Sequence, residues 1–199
     1  MLNGVNLYLI GMMGSGKTTI GKLLAQHFDY QFIDTDQFIE QATRQSIPAI
    51  FDQSGESVFR QLETATLAEV CARTNKVIAT GGGIVLKREN WSFLRHGVII
   101  WIDVPIEVLR SRLQNDSARP LLQHQDIHEK LTQLLIERQA LYAQADIKIA
   151  VAQTDTANQV ARKTIDAIAQ KCEEKRQLDQ QTERLNAEMP FQLHSPEAN

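Results

Sequence analysis

Gly11-Met12-Met13-Gly14-Ser15-Gly16-Lys17-Thr18 decides the fold. The octapeptide satisfies G-x-x-x-x-G-K-[ST] at every position. It follows the apolar run Val5–Ile10 and leads into a stretch whose Ile20, Leu23, Leu24 and Phe28 share one helical face. A strand, a glycine loop and a helix in that order form a phosphate cradle. Glycines let successive backbone N–H groups turn inward, and the helix N-terminus adds partial positive charge. Lys17 is expected to reach the β and γ phosphates of a nucleoside triphosphate, and Thr18 to offer its hydroxyl to Mg²⁺. Gly14, Ser15, Gly16 and Thr19 complete the expected nucleotide contacts.

Outward from this loop, apolar runs recur at Gln31–Asp34, Val77–Thr80, Val98–Val104 and Ile147–Val151. Helical stripes lie between them. Phe59, Leu62, Thr66, Leu67 and Val70 form one, and Leu131, Leu134, Leu135 and Leu141 another. Strands alternating with helices predict an α/β fold, a parallel sheet covered on both faces. Pattern alone does not order the strands. Two regions break the rhythm. Gln114–Asp126 is polar and contains Pro120, as a functional loop would be. Beyond about Ala169 the apolar face thins to Cys172, Leu178 and Leu185, which predicts a helical extension over 171–199 ending in a disordered tail.

Composition narrows the function. The 199 residues carry 21 Lys and Arg against 24 Asp and Glu, a formal charge of −3. That balance argues against binding nucleic acid by bulk positive charge. Hydrophobic residues make up 43%, enough for a sizeable core. The two cysteines, Cys71 and Cys172, are far apart and in no metal spacing, which suits a reducing, cytoplasmic setting. No apolar run is long enough to span a membrane. A cleaved leader is not expected, because the first motif begins at Gly11.

The phosphate loop does not identify the acceptor. Candidates for that site gather near strand ends, where open α/β sheets bind ligands. Asp34 and Asp36 close the second run, expected on one side of an extended segment. One would serve the magnesium shell and the other a substrate hydroxyl; one of them is also expected to cap the next helix, but two carboxylates exceed what a cap needs. Gly81-Gly82-Gly83 follows the third run and reads as a tight turn or a ligand approach. Arg60 and Arg138 suit a carboxylate or phosphate, or surface pairs with Glu63 and Glu137. Arg112 and Arg119 flank the polar loop, as an ordinary basic loop or a lid over the nucleotide. Asp103 ends the fourth run; it reads as a cap for the next helix and is not assigned as a metal ligand.

Taken together, these blocks resemble the shikimate kinases, small P-loop kinases of the nucleoside-monophosphate-kinase type. The resemblance rests on the phosphate loop, Asp34-Thr35-Asp36, Gly55-Glu56 with Phe59-Arg60 and Glu63, and Gly81-Gly82-Gly83. Arg119-Pro120-Leu121-Leu122 and Glu137-Arg138 with Tyr142 complete it, over about residues 4–170. It implies a five-stranded parallel sheet in the order 2-3-1-4-5 within a kinase domain of residues 1–170. A substrate-binding region at about 34–62 and a lid at about 112–126 would belong to it. It also implies transfer of the ATP γ-phosphate to the 3-hydroxyl of shikimate, with Mg²⁺; a monomer is the default expectation, since no strong exposed apolar face argues for a dimer. Lys17, Asp36 and Arg119 would be catalytic. Asp36, Arg60, Gly81, Gly82, Gly83 and Arg138 would hold shikimate, Arg112 and Arg119 the nucleotide, and Thr18 and Asp34 the metal. Lys17, Arg60, Arg112, Arg119 and Arg138 should converge on one cleft. Gluconate kinase and a catalytically lost nucleotide-binding module are the competing readings. The triple glycine and the Phe59-Arg60 block favour shikimate over gluconate, and intact Lys17, Thr18, Asp36, Arg60 and Arg138 disfavour the lost-catalysis module.

Overall fold

The structure, a computed structural model, describes residues 2, 4–114 and 126–188. Arg119, the Arg-Pro-Leu-Leu segment, most of the expected lid and the expected tail beyond 188 lie outside the described residues. Five strands alternate with seven helices in the described residues. Strand β1 (Leu7–Ile10) leads through the phosphate loop into α1 (Lys17–Phe28), followed by β2 (Gln31–Asp34), α2 (Thr35–Thr43) and α3 (Ile47–Cys71). Next come β3 (Lys76–Ala79), a 3-10 turn (Ile84–Leu86), α4 (Arg88–Leu94), β4 (Val98–Asp103) and α5 (Ile106–Leu113). Helix α6 (Ile127–Tyr142), β5 (Ile147–Ala150) and α7 (Ala157–Glu188) complete the order.

All strand pairs are parallel, in the order β2-β3-β1-β4-β5. Strand β1 is central, with Leu9 opposite Ala79 of β3 and Ile100 of β4. Its four side chains are wholly buried, because helices cover both faces of the sheet. That is why the central strands read as continuous apolar runs. Edge strand β5 alternates instead, with Ile147 and Ile149 buried and Lys148 and Ala150 exposed.

Three local features place the site. Helix α1 starts at Gly16 in the left-handed region (φ 92°) with no side-chain cap, so its first N–H groups remain available to an anion. Helix α3 is broken at Gly55 (φ 79°, ψ 168°), a conformation open to glycine. Ser46 caps its first half, with Pro48 in the first turn where a missing N–H costs nothing. Ile39, Ile50 and Phe59 form a small second core that joins α2 to both halves of α3.

Two local expectations change. Asp103 does not cap α5; Pro105 occupies that position, and Asp103 pairs with Lys148 of β5 at 2.9 Å. Asp34 and Asp36 do not share an extended segment, since helix α2 begins between them at Thr35. Helix α7 buries Val160, Ala161, Thr164 and Ile168 and runs on to Glu188. From 171 to 184 it is exposed apart from a half-buried Cys172. Side-chain pairs such as Glu173 with Arg176 line that stretch, and Leu178 faces solvent.

Candidate active site

The phosphate loop is held by its own side chains. Gly11, Gly14 and Gly16 all have positive φ, which a side chain would oppose. A Cβ on Gly11 would also lie 2.6 Å from the Ile102 carbonyl oxygen. Lys17 Nζ donates to the carbonyls of Gly11 (2.9 Å) and Met12 (2.8 Å) and to Ser15 Oγ (3.3 Å). The ammonium thus spans the loop from within. Arg112 Nη1 donates to the Gly14 carbonyl (3.0 Å) from α5. Thr19 stands exposed in the first turn of α1. Thr18 Oγ1 donates to Asp34 Oδ2 (2.6 Å), tying α1 to the end of β2.

Asp34 does two jobs at once. Its other oxygen, Oδ1, accepts from the N–H groups of Asp36 (3.0 Å) and Gln37 (3.3 Å) and caps α2. Asp36, one turn into the site, faces a cleft of about 530 Å³. Met13 and Thr18 of the nucleotide loop line this cleft together with Ile47, Pro48, Phe51, Phe59 and Gly81–Gly83.

The triple glycine is a packing requirement of this cleft. A Cβ on Gly81 would lie 2.5 Å from Glu63 Oε1 and 2.8 Å from Asp36 Oδ1. On Gly82 it would crowd Met13 N at 3.3 Å, and on Gly83 it would enter the Arg60 guanidinium. Helix α6 holds the segment from behind. Tyr142 Oη donates to the Gly82 carbonyl at 2.6 Å, and Arg138 Nη1 to the same oxygen at 3.3 Å. Burial pushes the Tyr142 hydroxyl up to about 12, so it stays a neutral donor.

Arg60 and Arg138 are both buried at the cleft wall, neither of them a surface residue. Arg60 is gripped from two sides. Nε and Nη2 donate to Glu56 (3.1 and 2.7 Å), and Nη1 to Glu63 Oε2 (2.5 Å). Glu56 is half exposed, whereas Glu63 is 1% exposed. Glu137, the other expected arginine partner, lies on the exposed side of α6. In the sequence, Glu63 is one available surface partner for Arg60 as well as part of the block that carries the resemblance. The structure buries it in the cleft, pushed up to about 7 chiefly by desolvation against the opposing pull of Arg60. Its i,i+3 spacing from Arg60, with buried Thr66 and Leu67 one turn on, was the available signal.

The expected convergence of cations is therefore partial. Lys17 and Arg112 bind the phosphate loop, while Arg60 and Arg138 line the acceptor cleft. Four carboxylates, Asp34, Asp36, Glu40 and Glu63, line that cleft with them. One end can hold a phosphate chain, and the other presents arginines and carboxylates to a polar, anionic acceptor.

The family model for shikimate kinase matches residues 13–169. The chain is 55% identical to a shikimate kinase of Nostoc sp. over 84% of its length and 93% of that protein. Among solved structures, the Acinetobacter baumannii shikimate kinase in complex with shikimate superposes with a TM-score of 0.81 at 38% identity, covering 83% of this chain and 93% of that one. The Aquifex aeolicus shikimate kinase gives 0.72 at 34% identity, covering 82% and 96%. A gluconokinase of Sinorhizobium meliloti, at 16% identity and a TM-score of 0.54, shares the fold alone. With a family model spanning most of the chain and relatives above half identity, this chain belongs to the shikimate kinase family.

Proposed function

We infer that the chain transfers the γ-phosphoryl group of ATP to the 3-hydroxyl of shikimate, giving shikimate 3-phosphate and ADP. The observation that carries this reading is the cleft itself, lined by Arg60 and Arg138 together with Asp36 and with Thr18 of the nucleotide loop. A ring acid with several hydroxyls meets guanidinium donors at its carboxylate and a carboxylate acceptor at its hydroxyls. The Gly81–Gly83 backbone, held by α6, supplies close contact between the two. Asp36 orients the 3-hydroxyl and accepts its proton. The oxygen then attacks the γ-phosphorus in line, and the bond to the β-phosphate oxygen breaks as ADP leaves.

Lys17 and the N–H groups of Gly14–Thr18 stabilise charge on the moving phosphoryl group. Thr18 and Asp34 suit Mg²⁺, a hydroxyl and a carboxylate already 2.6 Å apart beside the loop. Among the described residues no cluster of three His, Cys, Asp or Glu forms a protein cage. Mg²⁺ is usually held in this way, by one or two protein oxygens with phosphates and water. When bound, it would neutralise charge on the β and γ phosphates. By family resemblance, Arg112 and Arg119 close on the nucleotide, Arg119 nearest the phosphates.

We read residues 1–170 as the kinase domain and 171–199 as an appended extension. We read the protein as a cytoplasmic monomer, consistent with its free thiols and with the scattering of its exposed large apolar side chains over Val5, Val58, Leu86, Ile136 and Leu178. Shikimate-dependent ADP release with ATP and Mg²⁺ tests the activity. Turnover with gluconate and none with shikimate would overturn it.

A further inference from the structure

The acceptor cleft poses a charge problem. Its described lining holds two arginines and four carboxylates, yet in the reading above it takes an anion. Among its described lining residues there is no histidine and no cysteine. The carboxylate that bears most directly on the problem is Glu63. Its Oε2 accepts from Arg60, while Oε1 is buried without a hydrogen-bond partner among the described residues. That oxygen and Asp36 Oδ1 close on one methyl-sized volume over Gly81. The charged and titratable groups facing Glu63 are Arg60 on its own helix, Asp36 on α2, and Arg138 and Tyr142 on α6. Arg60 and Arg138 are the same two cations that the acceptor's carboxylate would engage.

We propose that Glu63 is a positioning residue that takes up a proton from solvent, on Oε1, when shikimate binds, so that an anion can enter a cleft already rich in carboxylates. The proposal rests on the shikimate assignment and deepens it. An arriving carboxylate draws on the Arg60 and Arg138 charge that offsets Glu63 in the free protein, and adds a like charge close by. Both effects favour the neutral form of Glu63. Protonation leaves Oε2 free to keep accepting from Arg60. It turns Oε1 from an acceptor into a donor, facing Asp36 and the acceptor's hydroxyls.

The direction of the pH dependence follows. Glu63 sits near 7 in the free protein, raised chiefly by burial. Binding raises it further, so affinity is full below pH 7 and falls as pH rises through the range between the free and bound values. If binding raises it by about one unit, shikimate binds about sixfold more weakly at pH 8.5 than at pH 6.5. The acceptor's own carboxylate, of the ordinary carboxylic range, does not titrate there.

Isothermal titration of the full chain with shikimate, in buffers of different ionisation enthalpy at pH 6 and pH 8, counts the protons directly. The expected result is little uptake at pH 6, a substantial fraction of one proton at pH 8, and a KM for shikimate that rises with pH. Glu63→Gln should show no uptake and a flat KM profile, while Glu63→Asp should restore both. A merely structural role for Glu63 would change affinity without moving the proton count. Shikimate binding without proton uptake in the unaltered protein would overturn this inference alone. Uptake that survives in a folded Glu63→Gln protein would also overturn it. No binding heat and no turnover with shikimate would overturn the assignment and the inference together.

Discussion

Gly83→Ala isolates the packing role of the triple glycine. Gly83 has φ −94° and ψ 0°, a conformation open to alanine, so backbone strain does not enter. The effect is purely spatial. The added methyl would lie 2.5 Å from Arg60 Cζ and 2.7 Å from Nη2, far inside ordinary contact. Arg60 is the end of a flexible side chain and can swing away. Doing so breaks its alignment with Glu63 and Glu56 and removes it from the cleft wall. A hydrogen bond to a charged group is worth about 1.5–3 kcal/mol. Loss of the Arg60 contact to the acceptor carboxylate then corresponds to roughly a 10- to 150-fold fall in kcat/KM for shikimate. Misplacement of about 1 Å at a positioning group has a comparable effect. The KM for ATP should be unchanged, because the nearest atoms to the added methyl all belong to Arg60 and none to the phosphate loop. A coupled ADP-release assay with each substrate varied in turn measures both, with circular dichroism to verify folding. An unaltered shikimate KM in a folded Gly83→Ala protein would show that Arg60 does not hold the acceptor.

Three further outcomes are expected. Asp36→Asn should lower kcat by about 100-fold or more while ATP binding by calorimetry stays intact, since a general base is lost and the loop is untouched; unchanged turnover would remove Asp36 from the mechanism. Asp34→Ala should cost about 1 kcal/mol of stability through the lost α2 cap and also raise the Mg²⁺ concentration for half-maximal activity. Asp34→Asn should retain the cap and show the Mg²⁺ effect, and equal melting temperatures for the two variants would contradict the capping role. Deleting residues 176–199 should leave both kinetic constants and the melting temperature close to those of the full chain, because 176–184 are exposed. Loss of folding on that deletion would refute the separation at about residue 170.

Local chemistry made much of this protein legible in its sequence. The phosphate loop is contiguous, so its eight residues declare a cradle without any knowledge of distant contacts. Burial on both faces makes the inner strands of a parallel sheet near-continuously apolar, and three of the five runs show it. The edge strands are the weaker cases, since β2 is only half buried and β5 alternates. Arg60, Arg138 and Asp36 were recognisable as chemistry-bearing side chains. Whether they were surface pairs, caps or a site was not decidable by spacing, because each reading allows the same residues.

Tertiary structure decided those alternatives. Strand order depends on hydrogen bonds between segments far apart in sequence, and alternation alone does not specify it. Asp34 and Asp36 differ because a helix starts between them: both line the cleft, but only Asp34 also caps the helix. Asp103 turns to Lys148 of the neighbouring strand instead of capping its own helix. Gly81 and Gly83 proved necessary only once Glu63, Asp36 and Arg60 were packed against them from two helices, with the phosphate loop close against Gly82. Glu63 shows the division most clearly. As sequence, Arg60 and Glu63 are an i,i+3 pair of the kind found on any helix surface. Folded, α2, α6 and the Gly81–Gly83 segment close over the pair and remove water, and burial turns an ordinary carboxylate into one poised to accept a proton. The residues of the site were written in the chain, but their ionisation belongs to the cleft that encloses them.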